Sequence, residues 1–407
     1  MDGPQYTILQ VLRDKWWVIL PAFAVSLIAT PIFRAVAYRR KIVDRPDDLL
    51  KPHGRPVAYL GGLGIWAGWM IGLGSFMACI PDLAGRWRQV GQALLSLDGA
   101  RLMANPVWNL LGVMVSGTVV MVVGLLDDLK DIPPKQKIAG QVLAAGILMA
   151  GGIGPQMAQV FLHYFQAHPP AAVSVVSSMA ICLVFVIGAC NATNLLDGLD
   201  GLCGGVTGII ALGFLGLAVW LALWATGDPG VDALRIGLAL AMAGAVLGFL
   251  PYNVPPASIF MGDAGSMLLG FFVAAMMALF CQEGNARWLL AALVVFALPI
   301  LDTALALVRR LLAGKPVFAG DRSHLYDQLV DRGMSVKKVV VLFYGLSLAA
   351  AVLGVSLAIL IQGRYALLIY AAVLAGVWGL FYKAGMIRPA PHEPHEPPPS
   401  NASGRGK

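Results

Sequence analysis

The sequence predicts an all-α, polytopic membrane protein of about ten to eleven transmembrane helices, with a candidate active site built from loops at the cytoplasmic face. Three observations predict it. The chain is 58% hydrophobic and 13% charged over 407 residues, where a soluble domain carries about a quarter charged residues. Apolar runs of spanning length recur along nearly its whole length. Five polar clusters interrupt them, at 44–56, 127–137, 191–202, 253–266 and 302–332, and alternate crossings bring all five to one face.

The spans read as 16–37, 59–80, 107–126, 136–152, 172–190, 204–225, 233–250, 265–281, 287–308, 339–361 and 364–383. The first has no small-residue cleavage site and runs on into Arg34, Arg39 and Arg40, as a retained anchor does. Between the second and third, Leu83, Trp87, Val90, Leu94 and Leu97 recur at helical spacing and predict an amphipathic helix in the interface. The fourth span is short and Gly-rich; glycines inside spans permit close helix contact. Residues 153–171, with His163, Tyr164 and His168, read as a second interfacial stretch. A single membrane domain occupies 1–387, and the Pro/His-rich tail 388–407 has the composition of a disordered segment.

Orientation follows from the basic residues. With the N-terminus outside, 21 of the 29 Lys and Arg fall in inside loops and the tail. The positive-inside rule then places the C-terminus and all five clusters in the cytoplasm. A net charge of +7 beside a membrane favours anionic headgroups and phosphate ligands; without a separate basic domain it gives no support to nucleic-acid binding. Cys79, Cys182, Cys190, Cys203 and Cys281 lie within or beside spans and form no metal-type pair, so they read as packing residues.

The clusters carry oxygen ligands and cations. Asp127-Asp128 ends the third span, where adjacent carboxylates are costly unless solvated, paired or cation-bound. Lys135 and Lys137 follow, and carboxylates with lysines suit a magnesium–diphosphate ligand. Asn191, Asn194, Asp197 and Asp200 lie within ten residues, punctuated by Gly198 and Gly201. If the fifth span continues helically through them, Asn194, Asp197 and Asp200 share a face. Asp263 directly precedes an apolar span, where it is either a metal ligand or, with Ser266, a helix cap. Asp302 is followed by Arg309 and Arg310, which read as positive-inside anchors. Arg322 and His324 can donate hydrogen bonds to phosphate oxygens, and Lys51, His53 and Arg55 offer a second cationic group in the first inside loop.

These motifs resemble the polyprenyl-phosphate N-acetylhexosamine-1-phosphate transferases of glycosyltransferase family 4, over about residues 44–333. The resemblance rests on Asp44, Pro46, Lys51, His53, Gly61 and Gly62, then Asp127-Asp128 with Lys137, then Asn191-Ala-Thr-Asn194 with Asp197 and Asp200. It continues through Phe260-Met-Gly-Asp263-Ala-Gly-Ser266 and Pro299 to Asp302-Thr with Arg309-Arg310. It implies transfer of a sugar-1-phosphate, with GlcNAc-1-phosphate expected, from a UDP-N-acetylhexosamine to undecaprenyl phosphate in the bacterial inner membrane. UMP is released and an envelope polysaccharide is initiated.

The resemblance further implies dependence on Mg2+, with Mn2+ as the alternative ion, held at Asn194 and Asp263. It implies catalytic roles for Asp127, Asp128 and His324. Substrate contacts are implied for Lys51, His53, Lys137, Asn191, Asp197, Asp200 and Arg322, with Asp200 at the uracil. The implied partners are the two substrates and membrane lipids, and a homodimer is left open. Two departures stand out. The basic loop reads His324-Leu-Tyr326-Asp327 where the antigen-initiating branch has His-x-His-His, and Leu50 stands where an Arg commonly precedes the Lys-x-His lysine. The three consecutive histidines that the muramoyl-pentapeptide branch carries in the basic loop are absent too. From another class, a secondary transporter for an anionic solute competes. It would place ionisable groups near the membrane midplane rather than at the inside ends of spans.

Overall fold

A computed structural model describes residues 4–44, 56–224, 228–282, 284–312, 314, 324–361, 363–383 and 385–386. Helices fall at all the expected crossings: α1 (Ile19–Arg40), α2 (Gly61–Met77), α3 (Pro106–Lys130), α4 (Pro134–Ala150), α5 (Ala171–Leu196), α6 (Leu202–Trp224), α7 (Pro229–Asn253), α8 (Gly262–Cys281), the pair α9 (Ala286–Val295) and α10 (Ala297–Leu312), and then, after the short α11 (Leu325–Asp331), α12 (Val336–Leu360) and α13 (Gly363–Lys383). Seven of the described helices are long and apolar enough to cross a membrane, and α9 with α10 makes an eighth if taken as one broken span. The protein is therefore a multi-pass membrane protein. At 17 residues each, α2 and α4 are shorter than those seven.

Local chemistry sets several of these boundaries. Asn105 and Asp228 each cap a helix whose first residue is proline: Asn105 accepts from Val107 N at 2.9 Å and Asp228 from Gly230 N at 2.6 Å. The ninth crossing corrects the expectation of one continuous span. There α9 and α10 meet at 71°, and Pro299 supplies the reason. In an unbroken helix its ring would collide with the carbonyl of Val295, four residues back, and it has no N–H to donate. A two-stranded antiparallel ribbon, β1 (Val43–Asp44) with β2 (Val57–Ala58), also interrupts the all-helical pattern.

The centre of the molecule is α8, buried along its whole length and packed between α3 and α5. Gly124 and Gly270 allow that packing, since a Cβ at either would lie within 2.4 Å of a backbone oxygen across the interface. Both ends of α8 meet charge from neighbouring helices. The Asp128 carboxylate of α3 accepts from Asp263 N at 2.8 Å and Ala264 N at 3.1 Å. At the other end Arg235 of α7, fully buried, donates to Leu279 O at 2.6 Å and to Asp232 at 2.6 Å, with its guanidinium 5.4 Å from the Phe280 ring centroid. A carboxylate at the N-terminus and a guanidinium at the C-terminus each oppose the helix dipole.

The amphipathic helix expected between the second and third spans is present, and the second stretch, 153–171, also contains a helix. Leu83–Leu95 buries Val90 and Ala93 and leaves Trp87 and Leu94 exposed, while Met157–Tyr164 buries Met157 and Val160. Near them Asn109 bridges Met103 O and Gly151 O at 2.8 and 2.7 Å, and Gln282 reaches Gly152 O at 3.4 Å. These bonds gather the start of α3 and the ends of α4 and α8 at one face. The opposite ends of the same helices form the other face, where the carboxylates lie. Lys51, His53, Arg55, Arg322 and the tail 388–407 lie outside the described residues.

Candidate active site

Four helix ends build the site. The last turn of α3 supplies Asp127 and Asp128, the first turn of α4 Lys137, the C-terminal end of α5 Asn194 and Asp197, and the first turn of α8 Asp263. Lys137 Nζ lies 2.5 Å from Asp127 Oδ2 and 2.9 Å from Asp263 Oδ2, so one ammonium joins two carboxylates from different helices. Asn194 Nδ2 donates to the other Asp263 oxygen at 2.7 Å and to Ser266 Oγ at 3.1 Å. Thr193 Oγ1 donates to Ser266 O at 2.8 Å and locks α5 to α8 beneath that contact.

The adjacent aspartates have different partners. Asp127 Oδ1 accepts from Ile132 N at 3.0 Å, beyond the end of α3, and its Oδ2 meets Lys137. Asp128 instead spends both oxygens on the amides that open α8. Asp128 therefore occupies the capping position that the sequence suggests for Asp263 or Ser266, and it frees Asp263 to face the site. Gly262 makes room for it, with φ +67° and a virtual Cβ only 2.5 Å from the Asp128 carboxylate.

The helix does not continue through the Asn-Asp run. α5 ends at Leu196, Asp197 is its C-cap with ψ 39°, and Asp200 lies in the following turn. Asn194, Asp197 and Asp200 therefore do not share a helix face. Asp200 Oδ2 accepts from Ala257 N at 2.8 Å, which ties this turn to the 253–261 stretch. Asn191 Nδ2 donates to Gln141 of α4 at 3.1 Å and to Ile187 O at 2.7 Å, a helix-to-helix bond rather than a carboxylate contact. Asp197 is half-buried and its side chain makes no hydrogen bond among the described residues. Burial, with Asp263, Asp128 and Asp200 around it, pushes its carboxyl well above the usual range.

A carboxylate in that setting fits a cation. No three His, Cys, Asp or Glu side chains among the described residues converge as a metal cage. Magnesium carried by phosphates does not need one, because it binds through one or two carboxylates plus phosphate oxygens and water. Asp197 and Asp263 match that donor set. Asn194 stands beside them, its amide nitrogen turned to Asp263.

His324 lies beside the cluster on its own support. Its Nδ1 is 2.8 Å from Asp302 Oδ2, while Asp302 Oδ1 accepts from Leu325 N at 2.6 Å. Asp302 is fully buried and acts as acceptor, so Nδ1 donates and Nε2 is the nitrogen left for a ligand. Tyr326 stacks on the imidazole, with centroids 5.4 Å apart and planes 6° apart, and its hydroxyl donates to Leu195 O at 2.9 Å. Burial beside Asp327, Asp302 and Asp197 pushes its phenol well up. Arg309 and Arg310 are 5% and 7% exposed. They are buried side chains in the last turn of α10.

Sequence reasoning missed two neighbours. Tyr59 is raised by burial and by Asp128, Asp197 and Asp263, so its hydroxyl lies in the field of the cluster. It immediately precedes Leu60-Gly61-Gly62, and the two glycines bring α2 against the start of α8 through Gly61 N to Phe260 O and Gly62 N to Met261 O, both at 2.9 Å. Tyr326 was visible only as a departure from a histidine motif.

Fold and site together define a multi-pass membrane protein with a carboxylate–lysine site at one face. Residues 110–281, which hold every member of that cluster, match the family model for glycosyl transferase family 4. The chain is 31% identical over 388 residues to the decaprenyl-phosphate N-acetylglucosaminephosphotransferase of Mycobacterium tuberculosis, covering 90% of this chain and 88% of that one. It is 28% identical over 390 residues to the probable undecaprenyl-phosphate N-acetylglucosaminyl 1-phosphate transferase of Bacillus subtilis, covering 91% and 95%. Likeness to the phospho-N-acetylmuramoyl-pentapeptide-transferase of Bacillus thuringiensis is 38% but spans only 118 residues, 28% of this chain. The chain belongs to glycosyl transferase family 4.

Proposed function

We propose that this protein transfers N-acetylglucosamine-1-phosphate from UDP-GlcNAc to undecaprenyl phosphate at the cytoplasmic face of a bacterial inner membrane, releasing UMP. The single observation that carries it is the junction of Asp127, Lys137, Asp263 and Asn194 at the ends of four helices, with Asp197 beside it making no hydrogen bond among the described residues. Near-full-length similarity to relatives named for this transfer supports the substrate class.

In the reaction, an oxygen of the lipid phosphate attacks the β-phosphorus of the UDP-sugar and forms a new P–O bond. The bond from that phosphorus to the bridging oxygen breaks, and its electron pair leaves on UMP. Both reactants are anions, so the site must neutralise charge more than remove a proton. A phosphate monoester has its second pKa near about 6, so the nucleophile is largely dianionic at neutral pH. Asp128, with both oxygens on backbone amides, is placed to hold α8 rather than to act as base. Asp127 sets Lys137, whose ammonium would meet the diphosphate, and His324, held at Nδ1 by Asp302, presents Nε2 to a phosphate oxygen. Magnesium at Asp197 and Asp263 would supply Lewis-acid stabilisation of the diphosphate.

A transporter is disfavoured because the cluster sits in the first and last turns of helices, not near a midplane. The test is UMP release by detergent-purified protein with undecaprenyl phosphate and a panel of UDP-N-acetylhexosamines, with and without Mg2+. Product with UDP-GlcNAc that requires Mg2+ and is lost in Asp263→Ala is expected. No product from any donor, by protein that still binds substrate, overturns the reading.

A further inference from the structure

Outside the site, α1 carries a cation that the reaction does not use. Arg34 lies six residues before Arg40, the end of α1, which places it about 9 Å along the axis from the basic end formed by Arg39, Arg40 and Lys41. It is half-buried, and it makes no hydrogen bond or ion pair among the described residues. Its guanidinium turns sideways to α7 and lies 5.9 Å from the centroid of the Tyr252 ring. A snorkelling arginine would instead run along its own helix to the headgroups. Tyr252 is itself fixed, its hydroxyl donating to Leu27 O at 3.1 Å.

The guanidinium borders a groove of about 430 Å³ lined by Pro31, Arg34, Ala35, Tyr38 and Ser258. None of these residues belongs to the carboxylate cluster. Ser258 Oγ donates to Tyr252 O at 2.9 Å, and Tyr38 Oη reaches Pro56 O at 3.4 Å, so both walls of the groove are held. Beside it Ile28, Ile32 and Val36, one turn apart along α1, are 62%, 56% and 38% exposed and form an apolar track toward the membrane interior. An arginine inside a spanning segment is costly unless it is paired, and among the described residues Arg34 meets the Tyr252 ring but no anion. Basic pockets between spanning helices take anionic lipid heads.

We propose that this groove binds the phosphate of an anionic glycerophospholipid, with Arg34 as the phosphate ligand and an acyl chain along Ile28, Ile32 and Val36. The polyprenyl-phosphate substrate is the other lipid phosphate available. It must deliver its phosphate to Lys137 and Asp263, and the groove shares no residue with them.

Full-length protein would be reconstituted with phosphatidylglycerol, phosphatidylethanolamine and undecaprenyl phosphate, extracted in mild detergent and weighed by native mass spectrometry. Wild type is expected to retain one phosphatidylglycerol. Arg34→Gln should lower the retained fraction about tenfold, the order for loss of a charge-assisted phosphate contact, while Arg39→Gln stays within about twofold. Equal retention by wild type and Arg34→Gln, or equal loss in both variants, overturns the proposal. So does displacement of phosphatidylglycerol by undecaprenyl phosphate, which would assign the groove to substrate. If Arg34→Gln does not fold, photoactivatable phosphatidylglycerol on the wild type decides instead: label on the peptide spanning residues 28–38 supports the site, and label only elsewhere refutes it.

Discussion

Asp128→Asn separates the two adjacent aspartates. In the wild type both Asp128 oxygens accept amides at the start of α8, at 2.8 and 3.1 Å. Asparagine keeps one acceptor and turns its NH2 toward the other amide, so donor faces donor. A hydrogen bond to a charged group contributes about 1.5–3 kcal/mol, and a charge at a helix N-terminus about 0.3–1 kcal/mol, more when partly buried. The expected loss is about 2–4 kcal/mol of stability. Asp127→Asn keeps an oxygen for Ile132 N and loses only the pair with Lys137, a lysine 27% exposed, at a cost of about 1 kcal/mol or less. Denaturant unfolding in micelles, followed by the fluorescence of the ten tryptophans, measures both. The reasoning is refuted if Asp127→Asn is the more destabilising of the two, or if Asp128→Asn matches the wild type.

Three further outcomes follow from the geometry. Tyr326→Phe keeps the stack on His324 and loses the bond to Leu195 O, so kcat should fall several-fold with little change in stability, and Tyr326→Leu should fall further; steady-state kinetics with equal losses in both would remove the stacking role. Asp197 has a folded pKa raised above the unfolded value near about 3.9. Its contribution is therefore full below that value and is lost as pH rises through the elevated one. In EDTA, the unfolding midpoint should decline from about pH 4 upward less steeply in Asp197→Asn than in wild type, and parallel curves would count against it. Arg235→Met removes the guanidinium that meets the buried Asp232 at 2.6 Å and should cost about 3–5 kcal/mol, with much of it regained in Asp232→Asn/Arg235→Met. A double variant no more stable than the single, by the same denaturation, would contradict the pairing.

Much of the architecture could be read from one dimension because a bilayer imposes a one-dimensional rule: each crossing must be apolar, helical and of bounded length. The order and placement of the crossings, the amphipathic helix at Leu83–Leu95 and the convergence of Asp127, Lys137, Asn194 and Asp263 at one face all followed from composition and alternation. Pro299 was visible too, but its consequence was not. Whether a proline kinks a span or breaks it by 71° depends on what packs on either side.

Only the tertiary structure assigned partners. Sequence could pair neither Asp128 with the amides of α8, 135 residues away, nor Lys137 with Asp263, 126 residues away. It could not end α5 at Leu196 and so turn Asp200 to Ala257. Arg235 and Arg34 look alike as single charges in apolar runs, yet one closes a buried helix end with Asp232 and the other faces an open groove. Periodicity and hydropathy report where a residue lies relative to the membrane. Which groups meet is set by the rotation and close approach of packed helices, and neither is encoded in the local pattern of any one span.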